Sequence, residues 1–423
     1  MITGLVIFED SHWRKLRPLT DTLPVPALAF GASTLNRRQL LAAGLPLIAI
    51  EARAEVMAAW HARPATAAAD ATAATAAGPE SEALVLNAAV LPAAWLDEIR
   101  ANAGTGTWYV GERLAAARLP YSQLAPLFGT GADFAARLAA LELPRRAIEA
   151  RVIEYPWHLI EWNLEALVLD LGKTGGNSGD VHPSAILLAP GRIQIAAGAR
   201  IDPLAVLDAR GGSISIGARA VIQSHTLVVG PCAVGEGTQL LGGVIGGSTI
   251  GPECRLAGEI EASIWQGYAN KRHHGFVGHS VIGEWVNMGA LTTTSDLKNN
   301  YGPVRMWVDG EERDSGNPKV GSMIGAHVKT GIGTLLPTGA SIGVGANLFG
   351  GGRFAPKRVE SFAWWDGEDT MVHDLDRFLA TARVALSRRG RAMNAAAERL
   401  LRALFASTEA ERHAAVRGVR AQG

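Results

Sequence analysis

Aliphatic residues recur at every sixth position through much of the second half of the chain. A six-residue period fits neither a helix nor an alternating strand, and it is typical of a hexapeptide-repeat β-helix. The positions that keep this spacing are Ile195, Ile201, Ile216, Ile222, Val228, Val234, Leu240, Ile250, Leu256, Phe276, Ile282, Met288, Ile324, Thr330, Leu336, Ile342 and Leu348. Each hexad predicts a short strand and a corner, with the aliphatic residue inward and Gly or Asn at the corner.

The first part of the chain has a different pattern, in which buried-strand runs alternate with helical ones. The predicted strands are 3–8, 46–51, 82–91 and 107–110, and the predicted helices are 34–43, 93–103, 112–117 and 132–150. This alternation favours a Rossmann-like α/β domain with a mainly parallel sheet. We therefore expect four regions: an α/β domain at 1–163, a linker helix at 164–180, a parallel β-helix at 181–356 and C-terminal helices at 357–423.

Composition narrows the classes of function. The 423 residues include 40 basic and 40 acidic side chains, so the net charge of zero does not favour nucleic acid or an anionic membrane as a partner. Only Cys232 and Cys254 are present, which excludes a disulfide framework and suits a reducing compartment. No signal peptide or membrane span is evident, and we expect a cytoplasmic protein. Residues 62–79, rich in Ala and Thr, predict a surface insertion.

The hexad pattern is interrupted twice, and both interruptions carry polar side chains. The first precedes Lys271–His279, and the second lies between Leu291 and Val320 and contains Asp296–Gly302. Insertions in a solenoid gather on one face and often form a site. A histidine there would suit general base catalysis near neutral pH, and Lys or Arg would suit a phosphate group.

The segment Leu16–Thr20, with the sequence LRPLT, resembles the segment after the first strand of sugar-phosphate nucleotidyltransferases. In that family a Gly-rich loop before this segment holds the nucleotide phosphates, and the matching positions here are Ser11–Lys15. Arg14 and Lys15 of this loop, and Arg17 of the segment that follows, are candidates to hold a phosphate. The chain departs from the family at Trp13, where glycine is expected. It also has Val25 in place of a phosphate-binding lysine, and Asn87 in place of the carboxylate that holds Mg²⁺. The resemblance thus implies Mg²⁺ only if this domain is active.

Residues 271–302 resemble the acetyltransferase domain of the bifunctional glucosamine-1-phosphate acetyltransferase/N-acetylglucosamine-1-phosphate uridylyltransferase family. The resemblance rests on Gly278, Ile282–Gly283 and Val286–Ala290. It implies a left-handed β-helix, a homotrimer, acetyl-coenzyme A as donor and no metal at this site. It also implies His273 and Asn287 as catalytic residues, and the implied substrate-binding or cofactor-binding residues are Lys271, Arg272, Phe276, Asn300 and Tyr301. Phe276 replaces the family's tyrosine, and Leu291 replaces a glycine.

The leading hypothesis is an acetyl-coenzyme A-dependent acyltransferase that acts on a sugar phosphate or a nucleotide sugar. One alternative is an active sugar-1-phosphate nucleotidyltransferase in the N-terminal domain. A second is a non-catalytic protein that binds nucleotide sugars. A third is a zinc hydratase, for which the candidate ligands are His225, His274 and His279.

Overall fold

The computed structural model describes residues 2–63, 81–101, 104–172 and 175–420. The Ala- and Thr-rich insertion predicted at 62–79 falls largely outside the described residues. No helix in the described ranges has the length and apolar character needed to cross a membrane.

The N-terminal domain is built on a sheet of six strands whose central members are buried on both faces. Leu5, Val6, Ile7 and Phe8 of the first strand are fully buried, as expected for a strand covered by helices on both sides. In spatial order the strands are Leu47–Glu51, Ile2–Phe8, Glu82–Asn87, Arg113–Pro120, Gly106–Val110 and Arg145–Ala147.

The predicted helix at 112–117 is wrong. Arg113–Pro120 is a strand that pairs antiparallel with Glu82–Asn87 on one side and with Gly106–Val110 on the other. Ladder hydrogen bonds on both sides override the helix preference of its alanines. The sheet is therefore mixed, with parallel pairing on either side of this antiparallel centre.

Helices flank the sheet and lead out of the domain. Of the helix predicted at 132–150, only Phe134–Ala139 forms, and Arg145–Ala147 is instead an edge strand. The helices of this region are α1 (Leu35–Ala43), α2 (Ala54–His61), α3 (Ala94–Ala101), α4 (Tyr121–Leu124), α5 (Phe134–Ala139) and α6 (Pro156–Leu171). A small hairpin of Ala29–Phe30 and Ser33–Thr34 precedes α1.

The predicted parallel β-helix is confirmed. The chain visits three strand ladders in turn, and successive coils pair in parallel within each ladder. Face A consists of Gly176–Asn177, Ile193–Ile195, Ile214–Ile216, Cys232–Val234, Thr249–Ile250, Ile264–Trp265, Val281–Ile282, Met323–Ile324, Ser341–Ile342 and Arg358–Val359.

Two long strands, Gln239–Gly246 and Arg255–Glu261, run through both other faces. Besides them, face B consists of Asp180–Val181, Arg200–Ile201, Val221–Ile222, Asn270–Lys271, Asn287–Met288, Lys329–Thr330, Asn347–Leu348 and Ala363–Trp365. Face C likewise consists of Ile186–Leu188, Val206–Asp208, Thr226–Val229, Phe276–Gly278, Thr293–Thr294 and Leu335–Leu336.

Two details of the repeat differ from the sequence prediction. The inward residue of the strand Phe276–Gly278 is Val277, which is fully buried, whereas Phe276 is half-buried and points outward. The corners also accept large residues in the left-handed region, among them Tyr268 (φ +55°), Trp285 (φ +62°) and His327 (φ +63°). Glycine is therefore not required at every corner, because stacking between coils offsets the backbone strain.

Several elements outside the coils pack against the β-helix or the N-terminal domain. The second insertion contains a hairpin of Arg305–Val308 and Glu311–Asp314, and its buried Val304 and Met306 join the core of the N-terminal domain. The strand Thr370–Val372 closes the end of the β-helix by pairing with Ala363–Trp365. Three helices follow: α7 (Leu375–Ser387), α8 (Ala395–Ser407) and α9 (Glu409–Arg420).

A buried hydrogen-bond network joins α6 and the N-terminal domain to the β-helix. The side chain of Asn163 accepts from Gly31 N at 2.8 Å and donates to Thr249 Oγ1 at 3.0 Å. The hydroxyl of Thr249 in turn donates to Gly31 O at 2.6 Å. Because all three residues lie in the interface, the two regions are held in a defined relative position.

Candidate functional site

The carboxyl ends of the parallel strands in the N-terminal domain carry acidic residues that are already paired. Glu9 accepts from Arg53 Nε at 2.7 Å and from Val25 N at 2.7 Å. Asp10 accepts from Arg113 Nε at 2.6 Å and from Asn87 Nδ2 at 2.7 Å. Burial alone would raise the pKa of Asp10, but hydrogen bonds and the charge of Arg113 hold that pKa well below its ordinary value.

These strand ends do not fit a Mg²⁺ ion. Mg²⁺ requires carboxylate oxygens with free lone pairs and room for its bound waters. Both oxygens of Asp10 accept hydrogen bonds, and Asn87 supplies an amide where a carboxylate would be needed. No group of three His, Cys, Asp or Glu side chains in the described part of the chain is arranged to hold a metal ion.

The loop after the first strand is filled by side chains rather than open to phosphate. The guanidinium of Arg53 lies over the ring of Trp13, with Arg53 Cζ 3.7 Å from the ring centroid. Lys15 forms an ion pair with Glu154, and Arg17 bonds to Asp21 at 2.8 Å.

Arg17 also bonds to Glu411 of α9 at 3.0 and 3.2 Å, so Arg17 and Lys15 both have carboxylate partners. Arg14 is exposed, with its guanidinium 5.0 Å from the Trp13 ring centroid. The phosphate roles of Arg14, Lys15 and Arg17 stay predictions.

Lys271 occupies an inward position of the β-helix, on the ladder between Leu256 and Met288. Its side chain is fully buried, and its ammonium donates to Ala257 O at 3.1 Å and to His273 O at 2.8 Å. Burial lowers the pKa of Lys271 to about 8. In this structure the lysine therefore holds the backbone of the corner that carries His273, and its ammonium is not exposed to a ligand.

The other residues predicted on the β-helix lie in separate places. Arg272 and His273 are exposed at the corner between faces B and C. Asn287 projects from face B, where its Oδ1 accepts from Asn270 Nδ2 at 2.8 Å. Asn300 and Tyr301 are exposed on the second insertion, with Tyr301 74% accessible.

Sequence reasoning missed a histidine–carboxylate pair at the next corner. His279 Nδ1 lies 2.7 Å from Asp296 Oδ2, and the two side chains are only 16% and 11% exposed. Asp296 stands at the base of the second insertion, where its carbonyl accepts from Val320 N at 2.9 Å. The insertion thereby fixes a carboxylate beside an imidazole, which sets the ring orientation and leaves Nε2 for other contacts.

Glycine is required beside this pair. A Cβ on Gly278 would lie 2.5 Å from Asp296 Oδ2 and 2.3 Å from Cζ of Phe276. The ring of Phe276, predicted to bind substrate, therefore lies close to the carboxylate of Asp296. The sequence did contain a signal for the pair, because Asp296 follows His279 by 17 residues, close to one coil of three hexads.

His273 and His279 lie at opposite ends of the strand Phe276–Gly278, which is about 10 Å long at strand spacing. The two histidines are therefore separate candidates for the base. His225 and His274 are exposed, and His279 is paired with Asp296. The three histidines of the zinc alternative do not form a metal-binding group in the described part of the chain.

Comparison with known proteins adds family relationships to this geometry. Residues 5–174 match the family described as sugar nucleotidyl transferase. The match covers the mixed sheet apart from the first three residues of Ile2–Phe8, and it includes α6. It confirms the family resemblance drawn from Leu16–Thr20 at the level of this segment.

Curated relatives match shorter segments. A bifunctional sugar-1-phosphate nucleotidylyltransferase/acetyltransferase from Sulfurisphaera tokodaii is 37% identical over 93 residues, which cover 22% of this chain and 23% of the relative. A bifunctional protein GlmU from Methanococcus vannielii is 31% identical over 136 residues, covering 31% of this chain and 28% of the relative. The matched segments thus span about a quarter of these relatives' length.

Solved structures with similarity to this chain include acyltransferases. A UDP-N-acetylglucosamine acyltransferase from Campylobacter jejuni has 15% identity and a TM-score of 0.26, covering 53% of this chain and 83% of that one. AntD, an N-acyltransferase from Bacillus cereus in complex with dTDP and 3-hydroxybutyryl-CoA, has 14% identity and a TM-score of 0.17. The match to AntD covers 53% of this chain and 96% of that one.

Proposed function

We propose that this protein is an acyltransferase whose β-helix transfers an acetyl or related acyl group from acyl-coenzyme A to a sugar phosphate or nucleotide sugar. The observation that carries the proposal is the His279–Asp296 pair at the base of the second insertion, 2.7 Å apart and shielded from water. An imidazole held by a carboxylate is the arrangement that acyl transfer uses to remove a proton from the nucleophile. The relatives that combine nucleotidylyltransferase and acetyltransferase activities support the same reaction class.

In the proposed reaction, His279 transfers the proton and Asp296 positions the imidazole. His279 Nε2 accepts the proton of the acceptor amine or hydroxyl as that atom attacks the thioester carbonyl. Asp296 keeps the ring oriented through Nδ1 and stabilises the imidazolium that forms. The tetrahedral intermediate then collapses, the carbon–sulfur bond breaks, and the coenzyme A thiolate takes the proton from Nε2. Atoms and charges balance without a further reactant.

His273, the base implied by the family resemblance, is the competing assignment for the same reaction. Its backbone is fixed by Lys271, but its side chain is exposed and no carboxylate is described beside it. Asn287, the other predicted catalytic residue, projects from face B. If His273 were the base, Asn287 would bind the acceptor or stabilise the oxyanion. Substitution of each histidine separates the two assignments.

The test is coenzyme A release from acetyl-coenzyme A in the presence of hexosamine phosphates and UDP-linked amino sugars, followed with a thiol reagent. Cys232 and Cys254 add little background, because burial raises the pKa of both thiols to about 12. We expect His279→Gln and Asp296→Asn to lower kcat by about 100-fold or more, with His273→Gln within about threefold of wild type. Loss of turnover in His273→Gln alone would move the base to His273, and no release with any acceptor would overturn the proposal.

A further inference from the structure

The turn between α7 and α8 brings three arginines against an aromatic corner of the β-helix. The rings of Tyr268 and Trp285 stack along this corner with centroids 4.3 Å apart and planes within 12°. Arg389 Nε donates to Glu253 O at 3.4 Å, and the guanidinium of Arg391 lies 6.0 Å from the Tyr268 ring centroid. The third arginine of the turn, Arg388, is exposed.

A cavity of about 260 Å³ lies between this turn, α7 and face B; we call it the basic cavity. Its polar lining residues are Asn270, Asn287, Lys329, Thr381, Arg388 and Arg389. Tyr268 and Trp285 form an aromatic wall. Among the described residues that line it there is no carboxylate, so its charge is positive.

Lys329 is the residue that most needs a negative partner. Its ammonium donates to Trp285 O at 2.7 Å, and no ion pair of Lys329 with a carboxylate is found in the described ranges. Burial lowers the pKa of Lys329 to about 8, because removing an ammonium from water without a counter-charge is costly. An anion in the basic cavity would offset this cost and would also meet the amides of Asn270 and Asn287.

We propose that the basic cavity binds a nucleoside phosphate, with the phosphate between Lys329, Arg388 and Arg389 and the base against the Tyr268–Trp285 wall. Arginine and lysine side chains are the usual phosphate ligands, and aromatic rings are the usual partners of a nucleobase. The site is distinct from the His279–Asp296 pair, which lies at the far end of face C. The chemistry suits the nucleotide end of coenzyme A as well as that of a nucleotide sugar, and the test includes both.

The test is calorimetric titration of the full chain with adenosine 3′,5′-bisphosphate, with UDP and with inorganic phosphate. We expect one nucleotide to bind, and we expect its Kd to rise at least tenfold in Lys329→Met and in the double variant Arg388→Ala/Arg389→Ala. Arg399→Ala is the control for Lys329→Met, because it also removes one positive charge, from an exposed position on α8 outside the cavity. Binding should also weaken as salt is raised.

Thermal melting of each variant identifies any that fail to fold, and the conservative Lys329→Arg variant should recover most of the affinity. An unchanged Kd in both folded basic-cavity variants would overturn the proposal, as would the failure of both nucleotides to bind. Inorganic phosphate binding as tightly as both nucleotides would overturn the role of the aromatic wall. Because binding is measured without turnover, this result is independent of the proposed acyl transfer.

Discussion

At the scale of single residues, the His279–Asp296 pair depends on the small volume of Gly278. The carboxylate of Asp296 and the ring of Phe276 both occupy the space that a Cβ at this position would take. His279 itself has a φ of +45°, as other large residues do at the corners of this β-helix. Gly278 therefore leaves the space in which the Asp296 carboxylate lies beside His279.

Gly278→Ala tests this dependence without touching a titratable group. The new methyl would push Asp296 away from His279, so we expect kcat for acyl transfer to fall at least tenfold while the acyl donor's KM changes little. Gly191→Ala is the control, because a Cβ there meets nothing within 4 Å. Equal rates for the two variants would show that Asp296 does not position the base.

The buried Lys271 predicts a specific dependence of stability on pH. Burial lowers its pKa from 10.5 to about 8 in the folded state, so between these values the unfolded state binds more protons. The contribution of Lys271 to the free energy of unfolding must therefore rise with pH from about 8 to 10.5. The buried thiols act in the opposite direction above pH 9, because their pKa is raised to about 12.

Lys271→Met isolates this contribution, since the thiols are common to both proteins. The free energy of unfolding of wild type minus that of Lys271→Met, measured by urea titration, should increase by up to about 3 kcal/mol between pH 8 and 10.5. Below pH 8 the difference should be constant. A difference that stays flat across the whole range would show that Lys271 keeps an ordinary pKa in the folded protein.

At the scale of elements, the C-terminal helices are held by aromatic contacts with the last corners of the β-helix. Phe378 of α7 meets the ring of Phe362 at 5.1 Å between centroids and nearly at right angles. It also meets His327 at 5.8 Å. These contacts hold α7 over face B and so form one wall of the basic cavity.

Phe378→Ala should destabilise the protein by about 3–5 kcal/mol, because it leaves a cavity where a buried ring was packed. Denaturant unfolding gives the size of the loss, and limited proteolysis should show faster cleavage within α7–α9. Phe349→Ala removes the same ring from a position that is 65% exposed, and it should change stability by less than about 1 kcal/mol. Similar losses in both variants would contradict the packing described.

The sequence predicts an element well where one local pattern determines it. Inward residues such as Ile282 and Ile342 set the period of the β-helix, and their burial follows directly from that period. The predicted register at Phe276 is wrong by one residue, because the inward residues Val277 and Ile282 are five positions apart rather than six. The strand Arg113–Pro120 was missed because its alanines fit a helix equally well, and only pairing with distant strands selects the extended form.

The site was harder to predict than the fold for a related reason. His273 and His279 occupy equivalent corner positions, so the repeat alone does not distinguish them. The distinguishing residue is Asp296, which reaches His279 from the next coil only because the insertion closes between Asp296 and Val320. The spacing of 17 residues between His279 and Asp296 is close to one coil, but the repeat pattern ends at the insertion and does not show that Asp296 turns toward His279.

At the scale of the whole molecule, the α/β domain and the β-helix share one hydrophobic core. Buried residues of face A, including Ile264 and Val281, pack in the same cluster as Leu5 and Ile7 of the first strand. The side chain of Asn163 also links the two regions through hydrogen bonds with Gly31 and Thr249. We therefore expect the two regions to unfold together.

Asn163→Ala would leave the buried Gly31 N–H without its acceptor. The cost should be about 2 kcal/mol of unfolding free energy, measured by urea denaturation. Fluorescence and circular dichroism should still give one coincident transition. Asn300→Ala, which removes an exposed amide, is the control, and two separate transitions in wild type would contradict a shared core.

The paired strand ends of the α/β domain predict that it does not form nucleotide sugars. Asp10 and Glu9 are bound by Arg113 and Arg53, so neither of these two carboxylates is free to bind Mg²⁺. We expect no pyrophosphate release from UTP or dTTP with sugar 1-phosphates and Mg²⁺, measured with a coupled phosphate assay. Release at rates above background would show that these ion pairs open to admit the metal.

The role of His279 as the base for acyl transfer is tested most directly by the rate of coenzyme A release. This rate is compared between wild type, His279→Gln and His273→Gln with the same aminosugar acceptor. We expect turnover in wild type, a loss of about 100-fold or more in His279→Gln, and a rate near that of wild type in His273→Gln. Turnover that survives the loss of His279 would contradict this role.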